Sequence, residues 1–160
     1  MQVNNEQLES IWADGVPAKI DEKDVLTYPE ILKICMKFVI DKIVIPNEYK
    51  VYGLNDAPDK FPNISIEKDG KKYGLVIVPN KYPLFASVND DFRKAFVKAC
   101  EEHNTIPVYC PVLLHSIDKE RAVKGVFLRG DVFNLKNVGQ KILNGDDKQE
   151  ITPNNLDFKL

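Results

Sequence analysis

The fold is decided by residues 63–78, which read NISIEKDGKKYGLVIV. Polar and apolar residues alternate in the first half, Asp69-Gly70 is a preferred turn between antiparallel strands, and the second half ends in an apolar run. The alternation places residues 63, 65 and 67 on one face, so Glu67 can lie beside Asn63. This stretch therefore predicts a β-hairpin.

Two helices are predicted, one on each side of the hairpin in the sequence. The first begins at the capping box Thr27-Tyr28-Pro29-Glu30, is apolar on most of its circumference and ends before Pro46. The second begins near Asn89, and its apolar residues recur at helical spacing from Phe92 to Cys100. Its opposite face carries the charged residues Arg93, Lys94, Lys98, Glu101 and Glu102.

Strand-like segments follow the second helix. Residues 106–117 hold apolar runs interrupted by Pro107 and Pro111, which predicts two short strands separated by an edge or a bend. Residues 122–128 and 132–135 predict two further short strands. This order of elements predicts an α/β fold with a mixed β-sheet and a central hairpin flanked by helices, in which the strand after the second helix returns parallel to the hairpin.

The length and composition predict one domain. The chain has 160 residues, of which 44% are hydrophobic and 29% charged, so it can bury a core. We expect a single α/β domain over residues 1–141 and a polar tail over 142–160. The first thirty residues carry two lysines against seven acids, whereas 31–141 carry 18 basic and 13 acidic residues. The net charge of −2 argues against non-specific duplex binding but leaves a local basic face open.

The sequence predicts a cytoplasmic protein without membrane association. Its apolar runs are too short for a membrane span, and residues 1–6 lack the basic and apolar segments of a signal peptide. The three cysteines have no CxxC spacing, which argues against a secreted disulfide framework. The scattered glycines form no phosphate-binding loop, so we expect no cofactor.

The hairpin and its neighbours resemble the core of the PD-(D/E)xK nucleases, the restriction-endonuclease-like superfamily, over about residues 28–117. In that family a Pro-Asp opens the first strand, and an acid, one residue and a lysine follow on the second; the carboxylates hold Mg²⁺. Here Asn63 stands in place of the aspartate, Ile77 in place of the second acid and Pro79 in place of the lysine. The resemblance implies a restriction-endonuclease-like core with neither the activity nor the metal.

A migrated active site is the catalytic alternative. Glu67 and Asp69 lie near the hairpin turn, and Lys72 and Lys81 flank the second strand of the hairpin. These four residues could form a Mg²⁺-dependent nuclease site if the fold brought them together. Charged residues beside a turn are more often solvated, which favours the non-catalytic interpretation.

Cys100, His103 and Cys110 are close enough in sequence to be three zinc ligands, with Cys35 or His115 as the fourth. Cys100 falls on the apolar face of its predicted helix. We therefore interpret the cysteines as small buried hydrophobic residues and expect no metal.

A set of basic and aromatic residues could contact nucleic acid. Tyr82 and Phe85 would stack on bases, although we favour a role in closing the core between strand and helix. The candidate phosphate contacts are the basic residues of the central segment, Lys71, Lys72, Lys81, Arg93 and Lys94.

We therefore predict a non-catalytic α/β domain that binds a macromolecule, nucleic acid or protein, in an accessory or regulatory role. The alternatives are a Mg²⁺-dependent nuclease with a migrated site and a purely structural domain that binds another protein. Three acids and a lysine that converge would favour the nuclease. An exposed strand edge or a large apolar patch would favour the protein partner.

Overall fold

The computed structural model describes residues 22–57, 60–81, 88–117 and 127–145. Its helices are α1 (Tyr28–Val39), which continues into a π-helical turn (Ile40–Val44), and α2 (Asp90–Glu102); a 3-10 turn (Glu22–Asp24) precedes α1. The strands are β1 (Lys50–Leu54), β2 (Ile64–Lys68), β3 (Lys71–Lys81), β4 (Ile106–Ser116), β5 (Phe133–Asn137) and β6 (Lys141–Ile142). Within these ranges no helix is long and apolar enough to cross a membrane.

One mixed sheet of six strands forms the centre of the domain. The strand order is β1-β2-β3-β4-β5, and β6 also pairs with β4. β2 and β3 form the predicted antiparallel hairpin, while β3 and β4 run parallel over nine residue pairs and are connected through α2. The predicted α/β class, with a mixed sheet and a hairpin flanked by helices, is confirmed.

α1 and α2 cover opposite faces of the sheet. Along β3, Leu75 and Ile77 belong to the core cluster under α1, whereas Val76 and Val78 pack in the cluster under α2. This alternation is the period of two expected of a strand with both faces buried. The core under α2 includes Phe96 and Cys100 as predicted; that under α1 includes the helix residues Ile31, Leu32, Cys35, Met36, Phe38 and Val39.

The predicted strand break at Pro107 and Pro111 is wrong, because both prolines lie inside the continuous central strand β4. The carbonyl of Pro107 accepts a hydrogen bond from Leu143 N at 3.0 Å, and that of Pro111 accepts one from Asn137 Nδ2 at 2.8 Å. The main-chain groups of both prolines therefore point towards β5 and β6. Their missing N–H groups fall at the end of the β6 pairing and in the gap between β6 and β5, so the ladder with β3 keeps its donors.

Other boundaries also differ from the predictions. The sequence pattern does not predict β1, and β5 extends two residues beyond the predicted 132–135. Leu128 forms only an isolated bridge with Val25, and most of the predicted strand 122–128 lies outside the described residues. Leu143 is buried, so the packed domain extends past residue 141, where the polar tail was expected to begin; residues 146–160 are outside the described part.

The predicted capping box at the start of α1 is confirmed. Thr27 N donates to Glu30 Oε1 at 3.1 Å, and Glu30 N donates to Thr27 Oγ1 at 3.5 Å. Arg129 also binds Glu30, with Nη2 donating to Oε1 at 2.7 Å and Nε donating to Oε2 at 3.1 Å. These hydrogen bonds lower the pKa of Glu30 to about 2, and those from Arg129 have the largest effect. Glu30 therefore joins the helix start to the turn before β5.

The substitution Glu30→Gln should flatten the acid end of the stability profile. A carboxyl whose pKa is lowered by folding stabilises the protein above its ordinary pKa of 4.5, and this stabilisation is lost as the pH falls towards about 2. Urea unfolding across this interval should show a steeper decline for the wild type than for Glu30→Gln. The exposed Glu102→Gln is the control and should decline like the wild type; equal slopes for all three proteins would contradict the assignment.

Candidate functional site

The positions that the nuclease resemblance marks are used by the fold itself. Asn63 is fully buried; its Oδ1 accepts from Ile77 N at 2.8 Å, and its Nδ2 donates to Asn55 O at 3.3 Å. The side chain of Ile77 lies in the core under α1, and Pro79 is buried. The Asn63 amide thus fastens the start of the hairpin to β3 and to the end of β1.

The four residues of the migrated-site alternative do not form one cluster. Glu67 and Lys72 are register partners across the hairpin, and Asp69 lies in the turn with φ of 53°. Lys81 is nine residues along β3 from Lys72, about 30 Å at the rise of an extended strand. Among the described residues, no group of three His, Cys, Asp or Glu side chains could hold a metal ion.

The thiols lie on different sides of the sheet. Cys100 packs under α2 and Cys110 under α1, so they cannot share a zinc ion with His103, whose Nδ1 lies 2.9 Å from Ala99 O. Burial raises the pKa of Cys100 to about 11 and that of Cys110 to about 12, and it also raises the pKa of Cys35. The interpretation of the cysteines as buried free thiols is confirmed.

The prediction that Arg93 lies on the exposed face of α2 is wrong, and its burial argues against the predicted contact with nucleic acid. Its side chain is fully buried, and its guanidinium donates to Asp90 Oδ1 at 3.0 Å and to the carbonyl of Asn144. The long side chain reaches the segment after β6 and fastens α2 to it. Lys71, Lys72 and Lys94 are exposed, whereas Tyr82 and Phe85 lie outside the described residues and only the backbone of Lys81 is described.

β1 brings two apolar side chains to the edge of the sheet. The register with β2 shifts between Val51 and Gly53, which leaves Tyr52 as the extra residue of a β-bulge. As a result Tyr52 faces the α2 side and Leu54 faces the α1 side, where each lines a groove. Tyr52 is 48% exposed and Leu54 62% exposed, the highest value for a large hydrophobic residue in the described part.

The α2-side groove lies between the β1–β2 pair and α2 and has a volume of about 310 Å³. The ring of Phe61 packs edge-on against Phe92, with centroids 4.6 Å apart, and Lys72 Nζ lies 5.7 Å from the centroid of Tyr52. The groove therefore combines aromatic surface with a positive charge. Its lining residues are Tyr52, Phe61, Pro62, Ser65, Phe96, Ala99, Cys100, His103 and Thr105.

The α1-side groove lies between α1 and β1 and has a volume of about 360 Å³. Two exposed ion pairs accompany it: Lys33–Asp56 at 3.5 Å and Lys37–Asp41 at 2.6 Å. Its apolar floor is formed by Met36, Ile40 and Leu54. The two grooves thus lie on opposite faces of the same edge strand.

A third, more polar groove of about 450 Å³ lies beside the π-helical turn. Gln140 Nε2 donates to Asn137 Oδ1 at 2.5 Å, and both amides approach Cys110 Sγ, at 3.9 and 3.7 Å. These amides hydrogen-bond within the fold. This groove therefore offers weaker recognition chemistry than the β1 edge.

The sequence carried a weak signal for this edge. Lys50-Val51-Tyr52-Gly53-Leu54 contains β-branched and aromatic residues, but Gly53 and the single bulge interrupt the alternation that marks a strand. Exposure of Tyr52 and Leu54 depends on β1 being the last strand, which no local pattern encodes.

A family model with the description Domain of unknown function (DUF8840) matches residues 29–144. The match begins in α1 and ends just after β6. No curated protein and no solved structure matches the chain.

The substitution Asn63→Asp should destabilise the domain rather than restore a metal site. A carboxylate at this buried position cannot donate to Asn55 O and loses its hydration, which costs about 1–3 kcal/mol. Asn55→Asp is the matched control. In the described part of the chain the Asn55 side chain acts only as an acceptor, because its Oδ1 accepts a hydrogen bond from Ala57 N at 3.1 Å. We expect the free energy of unfolding, measured in urea, to differ from that of the wild type by no more than about 0.5 kcal/mol in Asn55→Asp. Equal stabilities of Asn63→Asp and wild type would contradict this structural role.

Proposed function

Because the chain belongs to the family described as Domain of unknown function (DUF8840), a description without a stated activity, we propose a function from its geometry: a non-catalytic domain that binds a macromolecule in an accessory or regulatory role. The partner class that the geometry favours is a protein. We also propose the cytoplasm as its location, in keeping with three free, buried thiols.

The observation that carries this proposal is the apolar edge at β1. Tyr52 and Leu54 are exposed on opposite faces of one edge strand, and each lines a groove. Exposed apolar side chains that line grooves are typical of protein interaction sites. Among the described residues no strand pairs with the outer side of β1, so its outward main-chain groups add to this surface.

Nucleic-acid binding is the second candidate. The Lys72–Tyr52 pair beside Phe61 supports it, because aromatic rings with adjacent positive charge can stack on single-stranded bases. The positions of the other charged residues favour nucleic-acid binding less. Glu67 lies in register between Lys50 and Lys72, Arg93 is buried, and Lys81 is at the far end of β3.

A restriction-endonuclease-like core remains part of the proposal. It is supported by the order of helix, hairpin, helix and parallel strand, and by Pro62-Asn63 at the start of the hairpin. A nuclease with a migrated site is disfavoured because Glu67 and Lys72 face each other while Lys81 is distant.

The purified protein should leave linear, nicked and single-stranded DNA, and RNA, intact with either Mg²⁺ or Mn²⁺. The reason is that the acids and lysines near the hairpin do not converge on one point. Gel assays of the wild type and of Glu67→Ala check this expectation. Cleavage by the wild type that disappears in Glu67→Ala would establish the migrated-site enzyme instead.

A photo-crosslinking residue at position 54 should capture a protein partner in native cells. The same residue at Glu101, on the exposed side of α2, is the control and should not. Gel shifts of the tagged protein, with and without nuclease treatment, provide the measurement. A nuclease-sensitive adduct would favour the second candidate, and no adduct from position 54 would contradict the proposed surface.

A further inference from the structure

We propose that the partner supplies an extended polypeptide segment, which adds as a further strand to the outer side of β1 and places two neighbouring apolar side chains in the two grooves. This inference rests on the proposed function and names the form of its partner. It follows from the main-chain geometry of β1, from the placement of the grooves and from the charges around them.

The main chain of Leu54 points away from the sheet. Asn55 N donates to Asn63 O at 2.8 Å, and the register pairs Gly53 with Ser65 and Leu54 with Ile64. In an antiparallel pair, hydrogen-bonded and non-hydrogen-bonded positions alternate, so the N–H and C=O of Leu54 face outward. In the described ranges no strand pairs with this side of β1. An added strand would supply the acceptor and donor that this position lacks.

The two grooves match the side-chain alternation of an added strand. Successive side chains of a strand point to opposite faces of the sheet. A residue beside Leu54 would meet Met36 and Ile40 in the α1-side groove, and its neighbour would meet Phe61 and the ring of Tyr52 in the α2-side groove. Volumes of about 360 and 310 Å³ are at the small end of binding pockets, which suits one or two side chains each.

The charges favour an acidic segment. On the α1 side, Lys33 and Lys37 are paired with Asp56 and Asp41. On the α2 side, Glu67 alone lies in register with both Lys50 and Lys72. These three residues together carry one more positive than negative charge. An Asp or Glu two residues from the apolar side chain in the α2-side groove would lie on the same face and complement it.

A second copy of the chain fits this edge less well. Pairing two β1 strands would join the net positive groups formed by Lys50, Glu67 and Lys72 of both copies in one sheet, and like charge opposes such contact. The bulge at Tyr52 also twists the strand locally, a device that discourages pairing between sheet edges.

The test begins with a display library of random peptides about ten residues long, the upper end of common strand lengths, selected on the purified chain. We expect a consensus of two adjacent apolar residues with an acidic residue two positions from one of them. The selected peptide is then synthesised with a fluorophore, and its Kd is measured by anisotropy for the wild type, Leu54→Ala and Leu54→Pro.

Leu54→Pro should weaken binding about tenfold or more, because proline removes the outward N–H that the added strand needs. Leu54→Ala keeps that N–H and loses only side-chain contact, so it should weaken binding less. Proline is tolerated on the open side of an edge strand, and thermal unfolding verifies that both variants fold. Hydrogen exchange of the Leu54 amide in the wild type gives a second measurement, and the peptide should slow it about tenfold.

Equal affinities of Leu54→Pro and Leu54→Ala, an unprotected Leu54 amide, or no selected peptide would each overturn strand addition. Binding of single-stranded oligonucleotides alone would assign the surface to nucleic acid, and self-association abolished by Leu54→Pro would assign it to a second copy. Crosslinking to a protein at position 54 without peptide binding leaves the proposed function standing while strand addition fails. Failure of both experiments would remove both proposals.

Discussion

The parallel pairing of β3 with β4 is the constraint on which the rest of the structure depends. It extends over nine residue pairs, and its two strands contribute side chains to both core clusters. Because a parallel connection must cross one face of the sheet, α2 covers that face and α1 covers the other. The hairpin then adds β2 on the far side of β3. β1 follows as the outermost of the described strands, so its position at the edge is a consequence of the central pairing.

Features with local chemistry could be predicted from sequence, and features that depend on distant partners could not. Asp69-Gly70 and the Thr27–Glu30 capping box act within four residues, and both are where the pattern places them. Arg93 falls on the polar side of a helical projection, yet the carbonyl of Asn144, 51 residues away, holds it in the interior. The sequence rule that prolines interrupt central strands fails at Pro111 because it ignores the gap between β6 and β5.

The sequence did not indicate the β1 edge for a related physical reason. Charged residues are conspicuous in a sequence, so Glu67, Asp69, Lys72 and Lys81 formed the catalytic alternative; the length of β3 separates Lys81 from the other three. Apolar residues are normally assigned to a core, and most of them here are in it. Tyr52 and Leu54 are exceptions because, in the part of the chain that the structure describes, their strand has a neighbour on one side. Exposure of this kind is a property of topology, which explains why the composition of β1 gave so little indication of it.

The polar groups near the hairpin contribute to stability in ways that compete with catalysis. A metal site needs carboxylates free to coordinate, whereas the amide of Asn63 is fixed by Ile77 N and Asn55 O in the interior. The edge has the opposite character, since its exposed surface is apolar side chain and outward main chain. Lys50 and the bulge at Tyr52 oppose indiscriminate pairing, but the outward face of Leu54 lies beyond that bulge. Such an edge is protected over part of its length and open beside the two grooves. It can therefore select a strand by the fit of its side chains, whereas aggregation through main-chain pairing alone would not depend on them.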